Sequence, residues 1–115
     1  MSGKYMVERL QKLLKWREYI PALREAISQV LPDAEIYIIG GAAENRLTAL
    51  SDIDVLIITD KPPENPMKKA EITSKIREKL EEKGINHSYL YQFHIKDKKQ
   101  AQQLLKTTKI PVKIR

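Results

Sequence analysis

Residues Ile36–Thr59 read I-Y-I-I-G-G-A-A-E-N-R-L-T-A-L-S-D-I-D-V-L-I-I-T, and the fold turns on how that stretch is read. Two apolar runs, Ile36–Ile39 and Ile53–Ile58, read as strands, the first apolar at consecutive positions and so covered on both faces. A glycine pair, Gly40-Gly41, closes the first run, and the second opens on Asp52-Ile53-Asp54. Side chains two apart on a strand leave the same face, so Asp52 and Asp54 stand together where the strand begins. Two like charges about 6–7 Å apart repel by roughly 2–3 kcal/mol at an effective dielectric near 20, so a cation is expected to neutralise them. A divalent metal is the usual candidate. Paired glycines let backbone N–H groups approach a phosphate, and metal with phosphate points to nucleotide chemistry.

Around this stretch, 115 residues suffice for one core, and residues 1–115 are read as one domain. It is expected to comprise N-terminal helices over about 4–31, a core over about 35–106 and a basic C-terminal tail. Cysteine is absent, which excludes disulfides, thiolate zinc sites and thiol nucleophiles together. No apolar run approaches the roughly 18 residues of a membrane span. No secretory signal is recognised, so the expected compartment is the cytoplasm. The net charge of +6 favours anionic partners: nucleotides, nucleic acid such as tRNA, or an acidic protein. Lys96, Lys98, Lys99, Lys106, Lys109, Lys113 and Arg115 carry much of the excess, which reads first as a solvated basic face.

Before the glycine pair, two apolar stripes predict helix up to about Leu31: Met6, Leu10, Leu13 and Leu14, then Leu23, Ile27, Val30 and Leu31. Pro21 between them should kink the helix or start a new one, because it has no N–H to donate. Trp16 and Tyr19 near that break read as core or partner contacts rather than a platform for a base. Strands are expected over Glu35–Ile39 and Ile53–Thr59, with a turn or short helix across Ala42–Leu50. Pro62 and Pro63 mark a loop. Asn65-Pro66 then offers an N-cap and a first-turn proline to a helix that buries Ile72, Ile76 and Leu80 and stops at Gly84. A third strand is expected around His87–Ile95, with Tyr89, Tyr91 and Phe93 on one face and Leu90, Gln92 and His94 on the other. A short helix over Lys98–Thr107 and an extended tail with Pro111 complete the chain. The connection between the first two strands is too short for a crossover helix, whereas the second and third are joined by one. The order predicts an α/β (α+β) fold with a small mixed sheet.

Gly40-Gly41, ten residues, then Asp52-Ile53-Asp54 resembles the G-[G/S]-x10-D-x-D motif of the DNA polymerase beta nucleotidyltransferase superfamily. In length and order of elements the chain is similar to its minimal nucleotidyltransferases, archaeal type. The resemblance implies a polymerase-beta-like fold. It implies that Asp52 and Asp54 hold one or two Mg²⁺ ions on the triphosphate of a bound nucleotide, ATP first among them. Gly40 and Gly41 would cradle the phosphates, while Ser51 would cap the turn or touch phosphate. Many relatives continue with Ala-Arg-Gly where this chain has Ala43-Glu44-Asn45. Asn45 tolerates the left-handed backbone of the replaced glycine, and Arg46 and Lys61 are the cations left to replace the arginine.

Relatives also carry a third carboxylate on a neighbouring strand. The run Tyr91-Gln92-Phe93-His94 puts Gln92 at that position. An amide oxygen can ligate Mg²⁺, but it adds no charge and cannot serve as a base. His87 and His94 have no acid or second histidine at metal-ligand spacing and read as hydrogen-bonded strand residues, His94 sharing a face with Gln92. The implied activity is transfer of a nucleoside monophosphate, AMP in the first instance, to a hydroxyl acceptor. The alternative is a weakened nucleotide-binding module acting as an antitoxin beside a helical HEPN-type partner. Turnover without a third carboxylate and homo-oligomer formation are both left open.

Overall fold

The computed structural model describes residues 3–115. Helix α1 (Gly3–Leu14) runs into a 3₁₀ turn at Trp16–Tyr19, and α2 (Ile20–Val30) starts afresh with Pro21 in its first turn. Proline there needs no partner for its missing N–H, so it begins a helix rather than kinking one. The α2 stripe is buried through Leu23, Ile27 and Leu31, but α1 behaves differently. Only Leu13 of its expected stripe is buried, Met6 and Leu10 are half-buried, and Leu14 faces solvent at 58% exposure. Trp16 is buried in the core and therefore offers no face to a base.

Strand β1 (Glu35–Ile39) is followed by one helical turn, α3 (Gly40–Ala43), and by β2 (Ile53–Ile58). The turn starts at Gly40, two residues before the expected segment. A link this short returns the chain antiparallel, with Ile39 paired to Asp54 and Glu35 to Ile58. Helix α4 (Pro66–Glu82) carries the chain across to β3 (Tyr91–Lys96), which lies parallel to β2. The Asn65 side chain caps α4 by accepting from the Lys68 N–H at 2.9 Å. Gly84 ends it with a left-handed φ of +85°. Helix α5 (Lys98–Lys106) starts from a capping box between Asp97 and Gln100.

Strand β4 (Val112–Lys113) lies within the expected tail and pairs antiparallel with β1, giving the sheet order β3-β2-β1-β4. The expected strand at His87–Ile95 is also corrected, because a 3₁₀ turn at Ser88–Leu90 precedes β3. That turn breaks the alternation: Leu90 is buried and Tyr89 is 53% exposed, the reverse of a continuous strand that buries Tyr91 and Phe93.

One face of the sheet is packed with Ile36, Ile38, Ile53, Val55, Ile57, Tyr91, Phe93 and Ile95 against α2 and α4, forming the main core. On the other face Ile39, Leu56 and Ile58 pack with Ala101 of α5 in a second, smaller cluster. The helix covers the end of β2 near Ile58 and leaves the end near Asp54 open. The chain is thus an α/β fold built on a four-stranded mixed sheet. Among the described residues no helix is long and apolar enough to cross a membrane.

Candidate active site

The open end of the sheet gathers the residues singled out by sequence. Asp54 pairs with Ile39 on one side and Gln92 on the other, so the carboxylate and the amide leave the sheet on one face, side by side. Gly40 follows Ile39 directly with φ +68°, a conformation costly to residues with a Cβ. Its Cα lies against Asp54: an added Cβ would stand 2.6 Å from Oδ2 of that carboxylate. Gly41 is under no such constraint, as an added Cβ would meet nothing nearer than the Arg46 carbonyl oxygen at 3.6 Å.

The segment from Gly40 to Asp52 is held by local hydrogen bonds. The N–H groups of Glu44 and Arg46 donate to the carbonyls of Gly40 and Gly41 at 3.0 and 2.7 Å. Asn45 has φ +57°, the left-handed conformation anticipated for it. Ser51 Oγ accepts from the Thr48 N–H at 2.9 Å and lies 3.2 Å from Thr48 Oγ1. The hydroxyl therefore closes the turn that delivers Asp52 to the head of β2. Arg46 is turned to Glu44 at 3.1 Å, and Lys61 lies beyond the far end of β2, where the Thr59–Lys61 turn hydrogen-bonds to Asp33. Among the described residues neither cation forms an ion pair with Asp52 or Asp54.

Two partners were not foreseen. Oδ1 of Asp52 lies 3.2 Å from Nη2 of Arg9, a residue of α1. No local pattern signals this pair, because the residues are 43 positions apart and Arg9 reads as one more solvent-facing charge on α1. Oδ1 of Asp54 lies 3.1 Å from Nε2 of His94. An ionised carboxylate only accepts, so His94 donates from Nε2. The shared face of Gln92 and His94 was legible, whereas the reach of His94 to Asp54 depends on the β2–β3 register, with Leu56 opposite His94. Further out, Arg77 of α4 donates to the carbonyls of Tyr91 at 2.6 Å and Ser88 at 3.3 Å. Burial lowers its pKa from the ordinary value, and the charge of Asp52 works in the opposite direction.

Each carboxylate thus has Oδ1 held by a protein side chain. Asp52 and Asp54 with the Gln92 amide form an all-oxygen donor set, which suits a hard divalent cation. Among the described residues no group of three acid, histidine or cysteine side chains is placed to hold a metal. A hollow of about 690 Å³ runs along α4 past Thr73, Ser74 and Arg77, and the carboxylates are not among the residues that line it. They occupy an open shelf.

A family model described as a nucleotidyltransferase domain matches residues 20–111. No curated protein matches the chain. Among solved structures, one described as a candidate nucleotidyltransferase from Sulfolobus solfataricus is similar over 97% of this chain and 87% of its own, with TM-score 0.57 and 21% identity. A second candidate nucleotidyltransferase is similar over 83% of this chain and 96% of its own, with TM-score 0.54 and 24% identity. A chain from the complex of tri-AMPylated Shewanella oneidensis HEPN toxin with MNT antitoxin is similar over 86% of this chain and 71% of its own, with TM-score 0.51 and 14% identity. At these identities the structural likeness concerns the fold.

Proposed function

The chain belongs to the nucleotidyltransferase domain family, and on that footing we propose that residues 1–115 act as one minimal unit that binds Mg-ATP and transfers AMP to a hydroxyl acceptor. The observation that carries the reading is the convergence of the Gly40 turn, Asp52 and Asp54 at one end of the sheet, with Gly40 packed on the Asp54 carboxylate. Asp52 and Asp54 would hold the Mg²⁺, with the Gln92 amide as a third oxygen. When bound, the ion would offset charge on the triphosphate and its leaving group. The backbone amides of Gly40 and Gly41 would orient the phosphates. Ser51 would serve by fixing the turn, since its hydroxyl is already engaged there.

A second reading is favoured by Gln92 standing opposite Asp54. Without a third acid to take the acceptor's proton, the unit would bind nucleotide but turn over slowly. It would then act as an antitoxin on a helical partner of HEPN type, a class suggested by the complex in which one similar chain is found.

One experiment separates the two. Labelled ATP and Mg²⁺ are incubated with the protein, with and without the product of the neighbouring reading frame. Label entering an acceptor supports transfer, and Mg-ATP binding without label supports the binding module. Asp52→Asn with Asp54→Asn should abolish Mg²⁺-dependent nucleotide binding; undiminished binding in a titration rejects the site. Gln92→Glu should raise metal affinity or transfer, and no change in either means that Gln92 is not the third-ligand position.

A further inference from the structure

Arg9 joins the N-terminal helix to the site. Arg9 donates from Nε to the Ala49 carbonyl at 2.7 Å and from Nη2 to the Ser51 carbonyl at 3.0 Å, and the same Nη2 reaches Asp52 Oδ1 at 3.2 Å. Its side chain is 16% exposed, although α1 as a whole is loosely seated, with Leu13 its one buried side chain. Exposed ion pairs contribute little by themselves. This guanidinium is different because it also satisfies two main-chain carbonyls of the turn that carries Asp52. Its planar fork ties the height of that turn to the direction of the carboxylate. Among the described residues Oδ2 of Asp52 takes no hydrogen bond, so the held oxygen is turned to Arg9 and the other is left for a ligand.

We propose that Arg9 is a positioning residue for the metal site: by holding Oδ1 of Asp52 and the Ala49–Ser51 turn from α1, it presents Oδ2 to a divalent cation. The inference rests on the assignment of Asp52 as a ligand under the proposed function. Partners of metal-ligating carboxylates typically matter by 10–100-fold in metal affinity. Seating α1 therefore tunes the site, although its buried contacts lie elsewhere.

The test is a double-mutant cycle read by Mn²⁺ binding, with free Mn²⁺ measured by electron paramagnetic resonance and no nucleotide present. Arg9→Ala should weaken Mn²⁺ binding about tenfold in the parent chain and have no effect when Asp52→Asn is already in place. Arg9→Lys, which reaches one acceptor rather than three, should recover part of the loss and covers the case in which the alanine variant does not fold. Equal losses in both backgrounds would make Arg9 a structural residue and overturn the proposal. Unchanged or tighter binding in Arg9→Ala and Arg9→Lys would also overturn it, since the cation would then compete with the metal. If Asp52→Asn alone leaves Mn²⁺ binding unchanged, the metal-site assignment itself falls, and this proposal with it.

Discussion

Gly40 and Gly41 are adjacent, yet an added methyl group meets very different surroundings at the two positions. At Gly40 it would be forced into the left-handed region, at about 1–2 kcal/mol, and would collide with Oδ2 of Asp54. Gly40→Ala should therefore lower stability by about 2 kcal/mol or more and displace the carboxylate. Gly41→Ala should change stability by less than about 1 kcal/mol, a helical glycine gaining from the smaller entropy of its unfolded state. Urea unfolding of the two variants side by side checks both, and equal losses would contradict the geometry. The glycine pair, Asp52, Asp54 and the left-handed Asn45 were legible because each belongs to one continuous stretch whose spacing constrains it. Arg9 was not. Its role comes from the docking of α1 on a turn forty residues away, and its neighbours in sequence carry no trace of that contact.

At the scale of elements, local signals succeeded where the chain must satisfy its own backbone. Asn65 and Pro66 mark the start of α4 because an N-cap acceptor and a residue without an N–H both suit the orphan donors of a first turn. Asn65→Ala should accordingly destabilise by about 1 kcal/mol, while Asn65→Ser should keep most of the loss from appearing; thermal unfolding of the three chains decides it. Alternation misled where another geometry interrupts it. Ser88–Leu90 read as strand because Tyr89 and Leu90 continue a period of two, but the 3₁₀ turn rotates them, and β3 begins only at Tyr91. The two residues of β4 are too few for any periodicity, and they are a strand only because β1 has a free edge beside them.

Across the whole molecule, stability should depend on pH through two groups, His87 and Asp33. His87 is buried beside Tyr19 and Tyr91, with ring centroids 4.7 and 6.1 Å away, and its Nε2 has no partner among the described residues. Burial, reinforced by Lys12, lowers its pKa from the ordinary 6.5. Above that pH it is neutral in both states and contributes no pH dependence. As the pH falls below 6.5, the unfolded chain takes up a proton that the folded chain refuses, so stability declines towards the depressed folded value. His87→Phe should remove that part of the slope, measured as the difference in urea stability between pH 7 and pH 5, with His94 common to both chains. Asp33 acts lower on the scale. The Asp60 N–H, and after it the Thr59 hydroxyl, hold its pKa below the ordinary 3.8, so its contribution is present above that pH and lost as the pH falls further. The sheet's two margins differ as well. The β4 margin is two residues long and follows Pro111, whereas β3 offers six residues, with Arg77 on its first carbonyl. A strand margin without a partner strand is a template for another chain, and among the described residues β3 is the one margin of this sheet longer than two residues. Any assembly by strand addition would therefore stop at a two-fold pair, β3 against β3, because the margins left outside are too short to propagate a fibre.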